Sequence, residues 1–434
     1  MKPTPRRRPR GLLSAALAVG CLVGPAFGGL SLSGPLLAEE WRQLRGEASG
    51  HAFETGLPLE WGEDHNVAWK VAVPGRGWSS PVVAEGKIWL TTALEDELSL
   101  RLLGFDAASG ETLHDVEVFR PESWQRGHAE NSYASPTPVL EAGRIYVHFG
   151  TYGVAALSTA DASVLWRRDD LDQDHEVGPG SSPILHGDLL VTNRDAMDSQ
   201  LVVARNKDTG EIVWRAERYM PEGRKPPHRK AFSTPVVIHH LGRAQLISTG
   251  AAHTSAYDPA TGEEIWRVRH EGYSNVPAPV VGLGTAFVTT GYMKPELLAI
   301  RLGGEGDVTD SHVRWRYHWQ VPANPTPLLV GGRLYMVSDR GIASWVDVKT
   351  GEDVWRQRLG GSYYASPLVS FGRIYNWDVQ GRSVVVAARD RFEELAVNQL
   401  DGSIRTTPAI ADGAIFIRTD AHLYRIEDLA PPPP

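Results

Sequence analysis

Along most of this chain apolar residues alternate with polar ones in short runs broken by Gly, Pro, Asp and Asn. Alternation at a period of two predicts half-buried strands, and almost no long segment carries the helical period, so the chain reads as all-β. Two patterns punctuate it. The first is a small residue, a proline and an apolar pair: SSPVV (79–83), PTPVL (136–140), SSPIL (181–185), STPVV (233–237), PAPVV (277–281), PTPLL (325–329), ASPLV (365–369) and TTPAI (406–410). Each is followed by a Gly hairpin and an apolar or aromatic strand, as in GKIWL (86–90) and GRIYV (143–147). The eight prolines, Pro81 to Pro408, stand 40 to 57 residues apart. That interval fits a four-stranded propeller blade and is too large for a β-helix turn.

A proline cannot donate to a ladder, so this run predicts an edge strand with its N–H side unpaired, as the innermost strand of a blade is. The residue before each proline is small: Ser80, Thr137, Ser182, Thr234, Ala278, Thr326, Ser366 and Thr407. Eight strands converging on one axis leave room for nothing larger.

The second pattern is AYDPATGEEIW (256–266). Asp258 and Thr261 suit a turn held by side-chain oxygens, Gly262 supplies a positive φ, and Trp266 is a large apolar anchor on the next strand. It recurs as ARNKDTGEIVW (204–214) and WVDVKTGEDVW (345–355), and in weakened form as GFDAASGETLH (104–114), where His114 replaces Trp, and ALSTADASVLW (156–166), where Ala162 replaces Gly. The fifth copy is stretched by GGEGD (303–307) before Trp315, and the last runs out after three strands at LYRIED (423–428). NVAWKVAV (66–73) resembles an exit strand with no repeat before it. These patterns predict an eight-bladed β-propeller of four-stranded blades over 66–428, closed by an N-terminal strand that completes the last blade and removes the free edges. An irregular strap (39–65) precedes it and a disordered Pro tail (429–434) follows.

The turn-and-Trp pattern resembles the PQQ-like (pyrroloquinoline-quinone-like) repeat family, whose blades carry A-x-D-x-x-T-G-x-x-x-W. Ala256, Asp258, Thr261, Gly262 and Trp266 match it in full; Asn206 stands at the Asp position of the 204–214 copy and Trp345 at the Ala position of the 345–355 copy. The resemblance implies one of two roles. Quinoprotein alcohol dehydrogenases hold PQQ and calcium in the funnel, commonly beside a vicinal disulfide; BamB-like assembly factors keep the propeller and bind protein partners through loops. The W-x-x-x-R-G of Trp41 to Gly46 is also similar to the opening strap of exported PQQ-like propellers of unassigned role.

Residues 1–38 change the picture of location. Lys2, Arg6, Arg7, Arg8 and Arg10 precede an uncharged run from Gly11 to Ala38, the pattern of an export signal, cleaved or retained as an N-terminal anchor. The single cysteine, Cys21, lies inside it in AVGC, a poor match to a lipidation site. Without the basic arm the net charge of −8 becomes −13, which argues against nucleic acid. The expected location is the periplasm or cell envelope, with membrane association through the N-terminus and a protein or envelope partner.

Candidate chemistry is sparse. With one cysteine a vicinal disulfide is impossible. Glu130 and Asn131, in GHAENSYASP (127–136), are the nearest candidates for a cofactor. Asp170, Asp172 and Asp174 have the alternate spacing of a calcium loop, but His175 and Ser181 stand where Gly and Glu are needed. No HExxH, G-x-S-x-G or phosphate-cradling loop occurs. The residues expected at the funnel mouth precede the inner strands: Trp78, His128, Tyr133, His175, Arg229, Phe232, Tyr273, Asn324, Tyr364 and Arg405. Aromatics mixed with His and Arg suit recognition of peptide or sugar surfaces. The expectation is a non-catalytic binding scaffold without cofactor, the alternative a dehydrogenase using PQQ with calcium.

Overall fold

The computed structural model describes residues 40–47 and 49–429. The export segment and the Pro tail from 430 onward lie outside the described residues. Eight four-stranded antiparallel blades form the propeller, and in the first seven the chain order runs from the inner strand outward. Blade 1 consists of Val82–Ala84, Lys87–Leu94, Ser99–Asp106 and Thr112–Phe119. The next six blades repeat this plan with inner strands at Val139, Ile184, Val236, Val280, Leu328 and Leu368. Blade 8 takes its three inner strands from Ala409–Ala411, Ala414–Arg418 and His422–Ile426, and its outer strand, Val67–Ala72, from the start of the domain. The predicted closure is therefore present.

In all eight blades the paired inner strand begins at the residue after the proline. Proline thus stands at the threshold of the strand and not within it, where its missing N–H interrupts no ladder bond. The small neighbour has a second reason besides crowding. The backbone N–H of Ser80 donates to Thr137 Oγ1 at 2.9 Å, that of Thr137 to Ser182 Oγ at 2.9 Å, and that of Ser182 to Thr234 Oγ1 at 2.9 Å. The series resumes from Ala278 to Thr326, Thr326 to Ser366, Ser366 to Thr407 and, across the chain ends, Thr407 to Ser80. Each hydroxyl is an acceptor for the preceding blade. Only the blade 4 to blade 5 junction lacks one, because residue 278 is alanine; there Ser233 Oγ donates to Pro277 O at 2.9 Å.

The outer ends of the blades are joined by the tryptophans. The indole N–H of Trp166 donates to Lys207 O at 2.9 Å, that of Trp214 to Pro259 O at 3.0 Å and that of Trp315 to Val348 O at 3.0 Å. Each ring covers the turn glycine of the next blade so closely that a Cβ on Gly351 would lie 2.7 Å from Trp315. Trp266 departs from the plan. Its strand pairs in parallel with Gly306–Asp307 of the insertion, and its indole donates to Gln245 Oε1 at 3.1 Å.

Residues 40–65 run through the middle of the ring before reaching its rim. Trp41 exchanges two backbone hydrogen bonds of 2.8 Å with Val83 of blade 1, and Leu140 N of blade 2 donates to Arg42 O. Arg45 Nη2 donates to Pro327 O of blade 6 at 2.9 Å, and His51–Ala52 pairs in parallel with the inner strand of blade 7. Contact with the innermost strands of four blades places this segment in the tunnel. It then crosses blade 7, where Trp61 stacks on Tyr375 at 6.2 Å, and enters blade 8.

Candidate funnel at one mouth of the tunnel

Extended backbone sends residues i and i+2 to the same face, so the residue two positions before each small threshold residue also looks toward the axis. These second-tier residues are Trp78, Ser135, Gly180, Phe232, Val276, Asn324, Tyr364 and Arg405, and all eight line one cavity of about 570 Å³. Its lower tier is the hydroxyl ring, and Leu44 of the central segment is also in its wall. The funnel is therefore a two-tiered cup, with a lower tier rich in hydroxyls and an upper tier of mixed chemistry.

The upper tier is uneven. On blades 7, 8 and 1 stand Tyr364, Arg405 and Trp78, with the Arg405 guanidinium 4.9 Å from the Tyr364 ring centre and 5.5 Å from that of Trp78. Such cation–π contacts hold the planar group in place. Arg405 Nη1 is enclosed and without a hydrogen-bond partner. Burial, and then the Glu130 carboxylate, push the Tyr364 hydroxyl above its ordinary pKa. Across the axis, blades 3, 4 and 5 present Gly180, Phe232 and Val276, a small and apolar wall.

Of the residues expected at the mouth from sequence, Trp78, His128, Phe232, Tyr273, Asn324, Tyr364 and Arg405 share this cavity, as do Glu130 and Asn131. Three others lie elsewhere. Tyr133 stacks on Trp124 at 4.3 Å and donates to Gln125 O. His175 is buried, and burial together with the Arg194 and Lys230 charges lowers its pKa to about 4. Arg229 donates to Arg224 O at 2.8 Å within its own connection. Ser135, Gly180, Val276 and Tyr292 line the funnel without having been singled out from sequence. Counting back two residues from every threshold position would have found the first three; Tyr292 arrives on a loop and carries no such signal.

The acidic and amide side chains of the site do not converge on one point. Glu130 is the single carboxylate among the described residues lining the cavity. The Asn131 amide is spent between blades, donating to Val177 O at 2.8 Å and Pro179 O at 3.0 Å while accepting from Ser135 Oγ. Asn324 Nδ2 donates to Asp339 Oδ1. In the acidic stretch, Asp170 pairs with buried Arg205 and Asp172 accepts from Thr151 Oγ1, so these carboxylates do not share one point. Among the described residues no group of three or more His, Cys, Asp or Glu could hold a metal ion.

A family model described as the outer membrane protein assembly factor BamB matches residues 122–251 and 250–405. The outer membrane protein assembly factor BamB of Shewanella oneidensis is 20% identical over 298 residues, which are 63% of this chain and 72% of that relative. Among solved structures, BamB from Moraxella catarrhalis superposes with a TM-score of 0.58 at 11% identity, covering 83% of this chain and 99% of its own. Quinohemoprotein alcohol dehydrogenase from Comamonas testosteroni gives a TM-score of 0.64 at 11% identity, covering 91% and 82%. At such identities the two structural likenesses speak to the fold alone.

Proposed function

Because this chain belongs to the family described by the outer membrane protein assembly factor BamB, we propose that it is an exported, non-catalytic scaffold of the cell envelope that binds protein partners at its funnel mouth. One observation carries the reading: the funnel is lined by aromatic, hydroxyl and cationic groups suited to recognition, with one carboxylate and with its asparagine amides already engaged. Recognition by a rigid ring is favourable because the contact groups are ordered before the partner arrives, so little side-chain entropy remains to be lost. The uncharged run from Gly11 to Ala38 after the basic arm supports export. The same lining supports operation without resident PQQ or calcium.

A photo-crosslinking residue at Tyr292, on the mouth, is expected to capture an envelope protein in cells, while one at Leu283, on an exposed inner hairpin turn, is not. Equal capture from both positions would remove the mouth from consideration. Dye-linked alcohol oxidation by protein supplied with PQQ and calcium would overturn the non-catalytic reading.

A further inference from the structure

We propose that the funnel is a carboxylate-binding site that seats an amphipathic ligand, its carboxylate on Arg405 and its apolar part against Phe232 and Val276. The inference rests on the scaffold reading and narrows it to a ligand chemistry. Arg405 is faced by two aromatic rings, Tyr364 and Trp78, and its side chain, only partly buried, lines the cavity. An arginine held in this way keeps its donors for an incoming planar anion and can bind a carboxylate through two parallel hydrogen bonds. The one carboxylate of the cup, Glu130, acts on the Tyr364 hydroxyl, as Arg405 also does. In a ring of eight blades Arg405 of blade 8 stands opposite Phe232 of blade 4, with Val276 next to Phe232. Charge on one wall and apolar surface on the other require a ligand with the same two sides.

The lower tier adds acceptor recognition. The hydroxyls of Thr137, Ser182 and Thr326 each accept a backbone N–H from the neighbouring blade, which fixes the oxygen and leaves the O–H proton to point at a ligand oxygen. Leu44, in the cavity wall, belongs to the segment that occupies the tunnel, so the cup is blind and suits a chain end over a strand threaded through it. A free carboxylate with an adjacent apolar group occurs at the C-terminus of an extended polypeptide and in small aryl- or alkyl-carboxylic acids. Both share the chemistry, and the experiment separates them.

Isothermal titration of the whole protein with acetyl-Gly-Gly-Phe, its C-terminal amide, 3-phenylpropanoate and glucuronate tests the site. The tripeptide acid is expected to bind about tenfold or more tightly than its amide, as loss of a charge-assisted pair implies. Arg405→Gln should abolish that preference, and Arg405→Lys, which keeps the charge but not the fork, should retain part of it. Circular dichroism of both variants separates loss of binding from loss of folding. Phenylpropanoate binding as tightly as the tripeptide acid would assign the site to small acids; binding of the tripeptide acid alone would assign it to a chain terminus. Equal affinity for acid and amide, or a preference that survives in a folded Arg405→Gln variant, overturns the proposal. Glucuronate competing as well as the tripeptide acid also overturns it, since the apolar wall would then have no role. Wild-type protein that binds neither acid at millimolar concentration overturns the carboxylate site and leaves the scaffold reading to its own cross-linking test.

Discussion

The backbone N–H of Thr407 donates to the hydroxyl of Ser80 at 3.1 Å, joining the eighth blade to the first across 327 positions of sequence. Arg418 reinforces the same seam. Its buried guanidinium Nη1 reaches Ser79 O at 3.1 Å, Ser79 Oγ at 2.8 Å and Thr91 O at 2.9 Å, and burial lowers its pKa to about 9. Most propeller seams join consecutive blades. This one must be held by groups from opposite ends of the chain, and three independent sets of contacts serve it: the hydroxyl ring, Arg418 and Arg425, whose Nη1 donates to Ala107 O at 2.7 Å.

The hydroxyl ring predicts opposite effects at two of its positions. Ser80→Ala orphans the buried Thr407 N–H and should lower stability by about 1–3 kcal/mol. Ala278→Ser supplies the acceptor missing at the blade 4 to blade 5 junction and should raise it by about 1 kcal/mol. Denaturant midpoints at constant slope would check both; destabilisation by the two changes alike would deny the ring its energetic role.

Glycine at the closing turn is required by contact as well as by conformation. Gly110 has φ +75°, and an added Cβ would lie 2.8 Å from Trp69, whereas at Gly86, with φ +71°, it would meet nothing within 4 Å. Gly86→Ala should cost about 1 kcal/mol and Gly110→Ala about 2–4 kcal/mol, the difference arising from displacement of the indole. Equal losses in chemical denaturation would show that the Trp69 contact is slack.

Two departures from the repeat motif belong together. His114 occupies the Trp position of blade 1, and Ala162, at φ +55° and buried, occupies the Gly position of blade 2. At four other junctions the Trp of one blade, Trp69, Trp166, Trp214 or Trp315, covers the Gly of the next, so an alanine is tolerated where the preceding blade offers His114, whose ring stacks on Trp89 at 5.3 Å. His114→Trp alone should destabilise by about 1–3 kcal/mol, and His114→Trp with Ala162→Gly should recover at least about 1 kcal/mol of it. An additive double-mutant cycle would contradict the pairing.

Acid should weaken the protein through buried neutral histidines. Burial first, with the Arg194 charge, lowers the His148 pKa to about 3; His175 lies at about 4, and His270 is lowered to about 4 chiefly by burial. Unfolded imidazoles take up protons below about pH 6.5, while the folded ones remain neutral to about pH 4, so the unfolded state binds more protons in that window. Stability is therefore full above about pH 6.5 and falls as the pH drops toward 4. Each histidine contributes up to about 2 kcal/mol of loss by pH 5. His175→Gln should reduce the difference between unfolding free energies at pH 7.5 and pH 5 by about that amount, and an unchanged difference would count against the burial argument.

The sequence by itself determined the all-β class, the number of blades, the four-strand plan and the closure by Val67–Ala72, because each rests on local signals: a proline that cannot donate, a glycine at positive φ, and a period of two. It also marked most of the funnel wall, since Trp78, Phe232, Tyr364 and Arg405 hold the same offset from a repeated landmark. Tertiary structure alone decided the rest. Whether His175 faces solvent or is enclosed beside Arg194, and whether the Asn131 amide is free or tied to Val177, depends on which blade stands next to it. So does the reason for the small threshold residues: their hydroxyls accept hydrogen bonds from a neighbour tens of residues away, and no local pattern records that partner. The charge on one wall of the cup and the apolar surface on the other exist only once the ring sets blade 8 opposite blade 4.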